Sequence, residues 1–462
     1  MTDLPGGKDR AQSDVGKDRW EQIEEAASMN KLVSVAVRTA LASALGLALL
    51  PSPALASGFG VPELSAAGIG TSNALVANPE EPGAFAYNPA AMGFHDRSSL
   101  AVGALFIDPK FSVKTATGNH DSKGADWAVA PMIQGAAKVN EQWWFGFGIN
   151  APFGLETRWK EGTFPKLSGT ELVPTGFPPP LPSAVAVPRG FHPTESQLQT
   201  LALVPTVTYR VNDNLSVAAG ADYYIAKTAR LNTQLTDLSG DGDGWGWNLS
   251  ALYANGPWSV GASYHSAATL GIDGTFFTAF PKPLLLDANV DMDLPWRLQL
   301  GARYAFNEQL AFEFDWTRTG WSEFDELEIK SQATGAVIAN NINKWDDANA
   351  YRFGLTYDVL PQTQLRFGYS YDETGQGDEF FSARIADSDR QLFSIGVAQN
   401  LGQGWALEAG YMYVLFKDRD FRGSKPYTPV VDLGEEVNGT DAVNGDYEAY
   451  AHLFGLEVRR TF

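Results

Sequence analysis

Hydrophobic and polar residues alternate along most of the chain. In the segment NAYRFGLTYDVL, Tyr351, Phe353 and Leu355 alternate with arginine, glycine and threonine, and the alternation resumes after a turn in LRFGYSYD. A period of two residues places the large side chains on one face of a β-strand and the small or polar ones on the other. No long helical periodicity follows residue 56. The pattern therefore predicts an all-β protein.

Fourteen strands are predicted from this alternation. They begin near Ser98, Asp126, Trp143, Ser196, Leu215, Gly244, Trp258, Leu286, Leu310, Asn349, Thr363, Gln391, Trp405 and Asn444. Short turns such as NDN, NGP and GQG alternate with long polar connections. An even strand number, with short turns at one end and long loops at the other, is typical of a transmembrane antiparallel β-barrel of the bacterial outer membrane.

The two faces of the predicted strands require different surroundings. The large residues on one face include Trp245, Trp247, Leu249, Tyr253, Phe312, Phe314, Trp316, Leu407, Tyr411 and Tyr413. The opposite face carries Gly246, Asn248, Glu313, Asp315, Glu408 and Gly410. Because the second set cannot form an apolar core, we expect it to line a wet or plugged lumen and the first set to contact lipid. A soluble β protein is the alternative.

A sheet within hydrocarbon must close on itself, because every backbone polar group there needs an internal partner. The last strand is therefore expected to pair with the first. On the last strand, Tyr450, Phe454, Leu456, Val458 and Phe462 share one face. This face is expected to meet outer-membrane lipid.

The chain divides into three predicted parts. Residues 1–56 are predicted to be a signal peptide, because Lys31 and Arg38 precede the apolar stretch TALASALGLALL and small residues follow it. The stretch is shorter than the about 20 residues of a membrane-spanning helix. We expect translation to begin at Met29 and cleavage to follow Ala56. Residues 57–97, rich in glycine, alanine, asparagine and proline, are expected to form a hatch that plugs the lumen of the barrel, residues 98–462.

Composition excludes several functions. The net charge of -20 argues against a nucleic-acid partner. The chain has no cysteine, which excludes disulfides and thiolate metal sites. Asp237, Ser239, Asp241 and Gly242 begin like a calcium loop, but Asn248 stands where the bidentate glutamate belongs. No catalytic constellation is recognisable, so we expect no enzyme activity, no cofactor and no metal.

Several segments resemble the FadL-type long-chain fatty acid transport family of outer-membrane proteins. They are SGFGVPELSAAGIG, the triplet Asn88-Pro89-Ala90, APFGLETRW, LPWRLQLGARY, DWTRTGWSEFDEL, LRFGYSYDET, DSDR and the C-terminal Phe462. The resemblance covers essentially the whole mature chain. It implies a multi-pass barrel of fourteen strands, an N-terminal hatch, an external hydrophobic groove and an internal pocket. It also implies an inward kink of the third strand, through which substrate leaves sideways into the membrane.

The function that the resemblance implies is passive uptake of hydrophobic compounds, with long-chain fatty acids expected first. Uptake of aromatic hydrocarbons is the main alternative, and an outer-membrane enzyme or a general porin are the others. The C-terminal Phe462 resembles the signal that the barrel-assembly machinery reads, so that machinery is an expected partner. In the hatch, Asn88, Pro89, Ala90 and Phe59 are the residues implied in gating. The alternative is a packed plug with no gating role.

A defect in the barrel wall is predicted from proline and glycine positions. Proline cannot donate to a β-ladder and is normally absent from central strands. Pro131, Pro152 and Pro205 nevertheless fall in or at the ends of the second, third and fourth strands, and Gly146 and Gly148 give the third strand freedom to bend. The alternative is that these prolines lie in strand ends above the membrane.

Ligand contacts are expected in two places. The segment between the seventh and eighth strands is predicted to be an external loop with an exposed apolar cluster, which usually marks a binding surface. The cluster comprises Leu270, Ile272, Phe276, Phe277, Phe280, Leu284, Leu285 and Leu286, of which the first six are the expected ligand contacts. Alternatively, it packs against a neighbouring loop.

The motif APFGLETRW contributes Phe153, Arg158 and Trp159 to the expected ligand contacts. Arg158 is the candidate partner for a ligand carboxylate, because a buried unpaired charge is costly. The other candidates are Arg303, Arg352, Arg366 and Arg390, which are expected to pair with lumen acids such as Asp315 or Asp358.

Overall fold

A computed structural model describes residues 58–123, 127–174, 184–279, 282–427 and 437–462. The predicted signal peptide, its cleavage site and Phe280 lie outside the described residues.

Fourteen antiparallel strands form a closed barrel, as predicted. The strands are β1 Ser99–Thr115, β2 Ala128–Lys138, β3 Trp143–Asn150 with Gly154–Thr157, β4 Pro193–Arg210, β5 Leu215–Thr233, β6 Thr236–Asn255, β7 Trp258–His265 with Ala268–Thr278, β8 Leu284–Leu294 with Arg297–Ala305, β9 Leu310–Thr319 with Glu326–Ser331, β10 Val337–Ile342 with Ala348–Leu360, β11 Thr363–Asp372, β12 Arg390–Gly402, β13 Trp405–Phe416 with Arg419–Phe421, and β14 Gly445–Thr461. The barrel closes where β1 pairs with β14, from Ser99 opposite Thr461 to Lys114 opposite Asp446.

Other elements are short. The helix α1, Ala66–Gly70, and the 3-10 helices Pro82–Ala86 and Pro89–Phe94 belong to the N-terminal segment. Further 3-10 helices and short strands lie in the connections: Pro165–Leu167, Trp321–Glu323, Ala383–Ile385 and Asp441–Val443 are helical, Gly118–Asp121 pairs with β1, and Thr170–Pro174 pairs with Ala184–Pro188. Among the described residues, no helix has the length and apolar character needed to cross a membrane.

The side chains on the two faces of the barrel follow the predicted orientation. On the outside, Trp245 is 63% exposed and Leu249 is 51% exposed. On the inside, Asn248, Asp315 and Glu408 are buried. Large apolar groups point away from the barrel axis and polar groups point towards it, which is the arrangement required by a barrel surrounded by lipid. The opposite would hold in a soluble sandwich.

Two segments predicted as loops are strands. The segment Asp237–Gly242, whose acidic residues suggested a loop, belongs to β6, which begins at Thr236 rather than near Gly244. The expected external loop between the seventh and eighth strands instead forms Ala268–Thr278 of β7 and Leu284–Leu294 of β8, paired with each other. The barrel wall therefore extends further on the long-loop side than the sequence indicated.

Residues 58–97, here called the plug, lie inside the barrel. The backbone N–H groups of Val76 and Ala77 donate to Asp315 Oδ2 at 2.9 Å and to Glu313 Oε1 at 2.6 Å. Arg366 on β11 donates to Glu81 Oε2 at 2.7 Å. Asp315, Glu313 and Arg366 thus find partners on the plug, which helps to explain why these three inward-facing charges tolerate burial.

Candidate functional site

The polarity of the two strand faces inverts along β6, β7 and β8. In the part of β8 near the long loops, Asp287 and Asp291 face outwards and Val290 and Met292 face inwards. In the other part, Leu300 faces outwards and Gln299 inwards. A polar exterior with an apolar interior is the pattern of a strand in water. Beyond the membrane, the barrel therefore encloses an apolar space.

That space contains an apolar pocket. Its walls include Leu155, Leu238, Ile272, Val290, Met292 and Leu327, and Phe59 of the plug forms part of its boundary. All seven side chains are buried in one hydrophobic cluster. Most of the lining is apolar, and its polar residues are Ser196, Gln197, Arg230, Ser239 and Asn289. The pocket therefore suits a ligand that is mainly apolar.

The residues of the expected external cluster fall on both sides of the wall. Leu270, Ile272 and Phe276 face inwards and are buried, so the prediction that they form an exposed loop surface is wrong. Ile272 lines the apolar pocket. Phe277 is exposed on the outside. Leu284 is also exposed, but it lies at the strand end on the inward-facing side, opposite the buried Thr278. The strand alternation separates Phe277 from the inward-facing residues, which the loop interpretation could not do.

Phe59 is the centre of an aromatic cluster at the inner end of the pocket. Its ring centroid lies 4.7 Å from that of Trp321, 5.0 Å from Phe324 and 5.9 Å from Phe153. The side chain of Phe59 is fully buried. One residue of the plug is therefore in contact with aromatic groups from the interruption of β9 and from the interruption of β3.

A half-buried guanidinium lies beside the apolar pocket. Arg384 lines a second, more polar pocket, which shares Leu231 and Leu238 with the first. Its Nη1 donates to Ser196 Oγ at 2.9 Å and to the carbonyls of Asn232 and Glu195 at 3.2 and 3.4 Å. Within the described ranges of the chain, it forms no ion pair with a carboxylate. Burial lowers the pKa of Arg384 to about 10, so the group stays charged at neutral pH.

The motif GLETRW holds Arg384 in place. Thr157 Oγ1 donates to the carbonyl of Arg384 at 2.7 Å, and Trp159 Nε1 donates to the carbonyl of Ala383 at 2.8 Å. Trp159 therefore supports the loop that carries Arg384, and it does not line the apolar pocket. Arg158, the predicted carboxylate partner, is already neutralised by Glu156 at 2.9 Å and Glu195 at 2.7 Å.

The ladder between β2 and β3 is incomplete. Pairing runs from Lys138 opposite Trp144 to Ile133 opposite Ile149 and ends there, while β2 continues to Ala128 against β1 alone. Pro131 lies in this one-sided stretch of β2. A proline at that position leaves no N–H without a partner, which is the usual reason for proline at a sheet edge.

The interruption of β3 is bound to the plug. Val61 N donates to the carbonyl of Pro152 at 2.7 Å, and Gly154 N donates to the carbonyl of Phe59 at 2.8 Å. The first plug residues thus pair with the break in β3, next to the gap in the wall. On the far side, Pro205 of β4 lies opposite Phe147 and has no partner on β5.

The two glycines of β3 have different surroundings. A Cβ atom added at Gly146 would lie 2.5 Å from Met92 Cε and 2.6 Å from Phe85 Cε2, both on the plug. A Cβ atom at Gly148 would be 3.7 Å from Val204, an ordinary contact. Gly146 is therefore required for close approach of the plug, whereas Gly148 lines a small cavity at the wall gap.

Asn88 joins the plug to itself and to the wall. Its Nδ2 donates to the carbonyl of Val76 at 2.7 Å and to that of Ala251 on β6 at 3.0 Å. Its Oδ1 accepts from Ala90 N at 3.1 Å and so caps the 3-10 helix Pro89–Phe94. The carbonyl of Pro89 accepts from Thr208 Oγ1 of β4 at 3.0 Å.

The lumen arginines pair with acids, but not with Asp315 or Asp358. Arg303 contacts Glu80 at 2.7 Å, and Arg366 contacts Glu81 and Glu408 at 2.7 and 2.6 Å. Arg352 and Arg390 share Asp372. In the part of the chain that the structure describes, no group of His, Cys, Asp and Glu could hold a metal ion.

The chain is similar to outer-membrane proteins along nearly its whole length. A family model described as outer membrane protein transport protein (OMPP1/FadL/TodX) matches residues 47–171 and 184–462. The chain is 26% identical to the 47 kDa outer membrane protein of Pasteurella multocida, over 92% of this chain and 98% of that protein. It is 23% identical to the long-chain fatty acid transport protein of Escherichia coli O6:H1, over 92% of this chain and 98% of that protein.

Two solved structures share the fold. A FadL homologue of Pseudomonas aeruginosa superposes with a TM-score of 0.69 at 19% identity, over 88% of this chain and 100% of that chain. The toluene transporter TbuX of Ralstonia pickettii superposes with a TM-score of 0.61 at 17% identity, over 88% of this chain and 99% of that chain. Both likenesses concern the barrel architecture.

Proposed function

The chain belongs to the OMPP1/FadL/TodX family of outer-membrane transport proteins, and from this premise we propose that it takes up long-chain fatty acids by passive transport. The observation that carries the proposal is Arg384, a half-buried guanidinium whose partners among the described residues are all uncharged, beside an apolar pocket. A carboxylate with a long alkyl chain satisfies both features, because the chain fills the pocket and the carboxylate pairs with the guanidinium.

Binding begins at the long-loop end, where the barrel lies beyond the membrane. The alkyl chain enters the pocket lined by Leu238, Ile272 and Val290, and each methylene buried there contributes roughly 0.8 kcal/mol. The carboxylate stays at the more polar pocket, close to Arg384. This arrangement needs no catalytic group, and we propose that the protein is not an enzyme.

Release is proposed to occur sideways, through the gap between β2 and β3. The ladder there ends at Ile133 and Ile149, and the plug contacts the adjacent break in β3 through Phe59 and Val61. A shift of the first plug residues would connect the pocket with this gap. An apolar ligand that passes directly into lipid avoids returning its buried surface to water.

The test is equilibrium binding of hexadecanoate, hexadecanol and toluene to the purified protein. Arg384→Gln is expected to weaken hexadecanoate binding about ten- to a hundredfold, the effect of losing a charge-assisted hydrogen bond, and to leave hexadecanol within about twofold. Arg158→Gln is the matched comparison and is expected to change hexadecanoate binding less than about threefold, because Arg158 already has two carboxylate partners.

Aromatic hydrocarbon uptake is the competing function. The Phe59, Phe153, Trp321 and Phe324 cluster at the end of the pocket favours this alternative, since aromatic rings pack well on one another. Saturable toluene binding, without hexadecanoate binding and without an effect of Arg384→Gln, would establish it and refute the fatty acid proposal.

A further inference from the structure

A cavity with an excess of positive charge lies in the lumen next to Phe153. Its lining includes Arg297, Arg352 and Arg390, and Asp372 is the one carboxylate among the described lining residues. Asp372 Oδ2 accepts from Arg352 Nη2 at 3.2 Å and from Arg390 Nη2 at 3.3 Å. One carboxylate therefore serves two guanidinium groups, and a third guanidinium lines the same cavity. We refer to it as the guanidinium cavity.

Several donors around this cavity have no acceptor. Arg352 and Arg390 are 4% and 2% exposed, and the Nε and Nη1 atoms of both lack a hydrogen-bond partner among the described residues. The Nε of Arg297 is also buried without a partner, and within the described ranges Arg297 forms no ion pair. Buried cationic donors normally have acceptors, because leaving them unpaired is unfavourable. The arrangement is thus complementary to a further anion.

Other acids near the cavity form no ion pair with its arginines among the described residues. Asp222 accepts from Asn248 Nδ2 at 2.7 Å and lies 2.8 Å from His265 Nδ1. Glu63 Oε1 on the plug accepts from Asn73 at 3.0 Å, and Glu63 Oε2 is buried with no hydrogen-bond partner among the described residues. Asp387 accepts from Gly58 N at 3.0 Å and from Thr374 at 2.6 Å. None of these carboxylates is within ion-pair distance of the three arginines in the described structure.

The position of the cavity connects the apolar pocket with the wall gap. Phe59 lines the pocket and Phe153 lines the cavity, with their ring centroids 5.9 Å apart, and Gly60 and Val61 of the plug also line the cavity. Pro152, Tyr224, His265 and Arg297 line both this cavity and a smaller one, which also contacts Gln134, Gly148 and Asn150 at the gap. A ligand that moves from the pocket to the gap passes these arginines.

We propose that the guanidinium cavity is a second carboxylate site, which holds the head group of the ligand in transit after it leaves Arg384. This inference rests on the proposed uptake of fatty acids. The two arginines already bound to Asp372 and the unpaired Arg297 accept one more monoanion, and Asp372 competes with it, so the ligand is released again. A hydrocarbon without a carboxylate gains nothing from this site.

The experiment compares transfer of hexadecanoate and hexadecanol from solution into liposomes that contain the full mature protein. Arg297→Gln is the test variant, because Arg297 has no salt bridge to break. The rate of hexadecanoate transfer is expected to fall at least about tenfold, because a charge-assisted contact is lost. The rate of hexadecanol transfer and the affinity of the apolar pocket for hexadecanoate are expected to stay within about twofold of those of the unaltered protein. Arg297→Lys is expected to restore part of the rate. Arg210→Gln, at the end of β4 beside the short turn to β5, is the matched control for loss of one positive charge.

The outcomes separate the two proposals. If the unaltered protein does not bind hexadecanoate in the apolar pocket, the proposed function fails. If binding is normal but Arg297→Gln leaves hexadecanoate transfer unchanged, or slows both compounds equally, the second site is refuted while the proposed function stands.

A second measurement uses the unaltered protein and therefore does not depend on the folding of a variant. Crystals of the unaltered protein soaked in bromide are expected to show an anion between Arg297 and the Arg352–Arg390 pair, which hexadecanoate displaces. An empty cavity, or a bromide that hexadecanoate does not displace, would overturn the proposal.

Discussion

The rings of Phe59 and Trp321 meet edge to face, with their centroids 4.7 Å apart. Phe59 is the second described residue of the plug, and Trp321 begins the 3-10 helix in the middle of β9. The contact places a plug side chain at the boundary between the apolar pocket and the guanidinium cavity. Movement of the plug would therefore change the pocket directly.

Phe59→Ala is expected to open this boundary. Removing a buried phenylalanine side chain typically costs 3–5 kcal/mol, and here the loss falls on the pocket and the start of the plug. We expect weaker hexadecanoate binding and faster amide exchange in the first plug residues. Phe312→Ala, at an exposed position on the outside of β9, is the control. Unchanged binding and exchange would show that Phe59 has no part in closing the pocket.

Asn88→Ala is expected to loosen the plug while the barrel remains folded. The change leaves the carbonyls of Val76 and Ala251 without this donor, and each unsatisfied buried group costs about 1–3 kcal/mol. Hydrogen exchange over residues 58–97 should accelerate, and ion conductance in planar bilayers should rise. Asn140→Ala removes a similar amide from a short turn outside the lumen and should do neither. If Asn88→Ala shows neither faster exchange in the plug nor higher conductance, Asn88 only caps its 3-10 helix and does not hold the plug closed.

Gly146→Val and Gly148→Val form a pair that tests the seating of the plug. At Gly146 the new side chain would meet Met92 and Phe85, so the plug must shift. At Gly148 the nearest contact is 3.7 Å away, and folding should be normal. Limited proteolysis should therefore cut the plug in Gly146→Val only. Equal protection in both variants would contradict the close packing described for Gly146.

Arg366→Gln is expected to destabilise the protein by removing the cation between Glu81 and Glu408. Breaking a buried pair from one side typically costs 3–5 kcal/mol. Glu408 keeps Arg459 at 2.8 Å, whereas Glu81 loses its barrel partner. Adding Glu81→Gln should therefore recover part of the loss, measured as the thermal unfolding temperature in detergent. Strict additivity of the two changes would mean that this ion pair does not couple the plug to the wall.

The barrel could be predicted because large apolar residues on the lipid-facing side of each strand alternate regularly with small or polar residues on the other side. Along β10 and β11, large residues such as Phe353 and Phe367 alternate with inward residues such as Arg352 and Arg366. The beginning of β6 does not show this alternation, because Asp237 and Asp241 occupy its outer face where an apolar residue was expected. These residues lie where the outer face meets water, so the expected contrast is reversed there.

The site was less predictable because it depends on contacts between distant parts of the chain. Arg158 follows a recognisable motif, but Glu195, far away in the sequence, neutralises it. Arg384 has no motif of its own and is positioned by Thr157 and Trp159. Similarly, the first residues of β2 pair with β1 but not with β3. The positions of Pro131 and Pro152 indicated a wall defect, but they did not show where the pairing ends.

The reversal of polarity within β7 and β8 marks the level at which the bilayer ends. It falls at Ser266–Ala267 in β7 and at Pro295–Trp296 in β8, where each strand is interrupted between its two segments. The strand from Trp258 to His265 has eight residues, close to the 9–11 that a tilted strand needs to cross the hydrocarbon. The two interruptions thus mark the level of the lipid head groups in the sequence itself. They can guide the placement of spectroscopic probes at a chosen distance from the head groups.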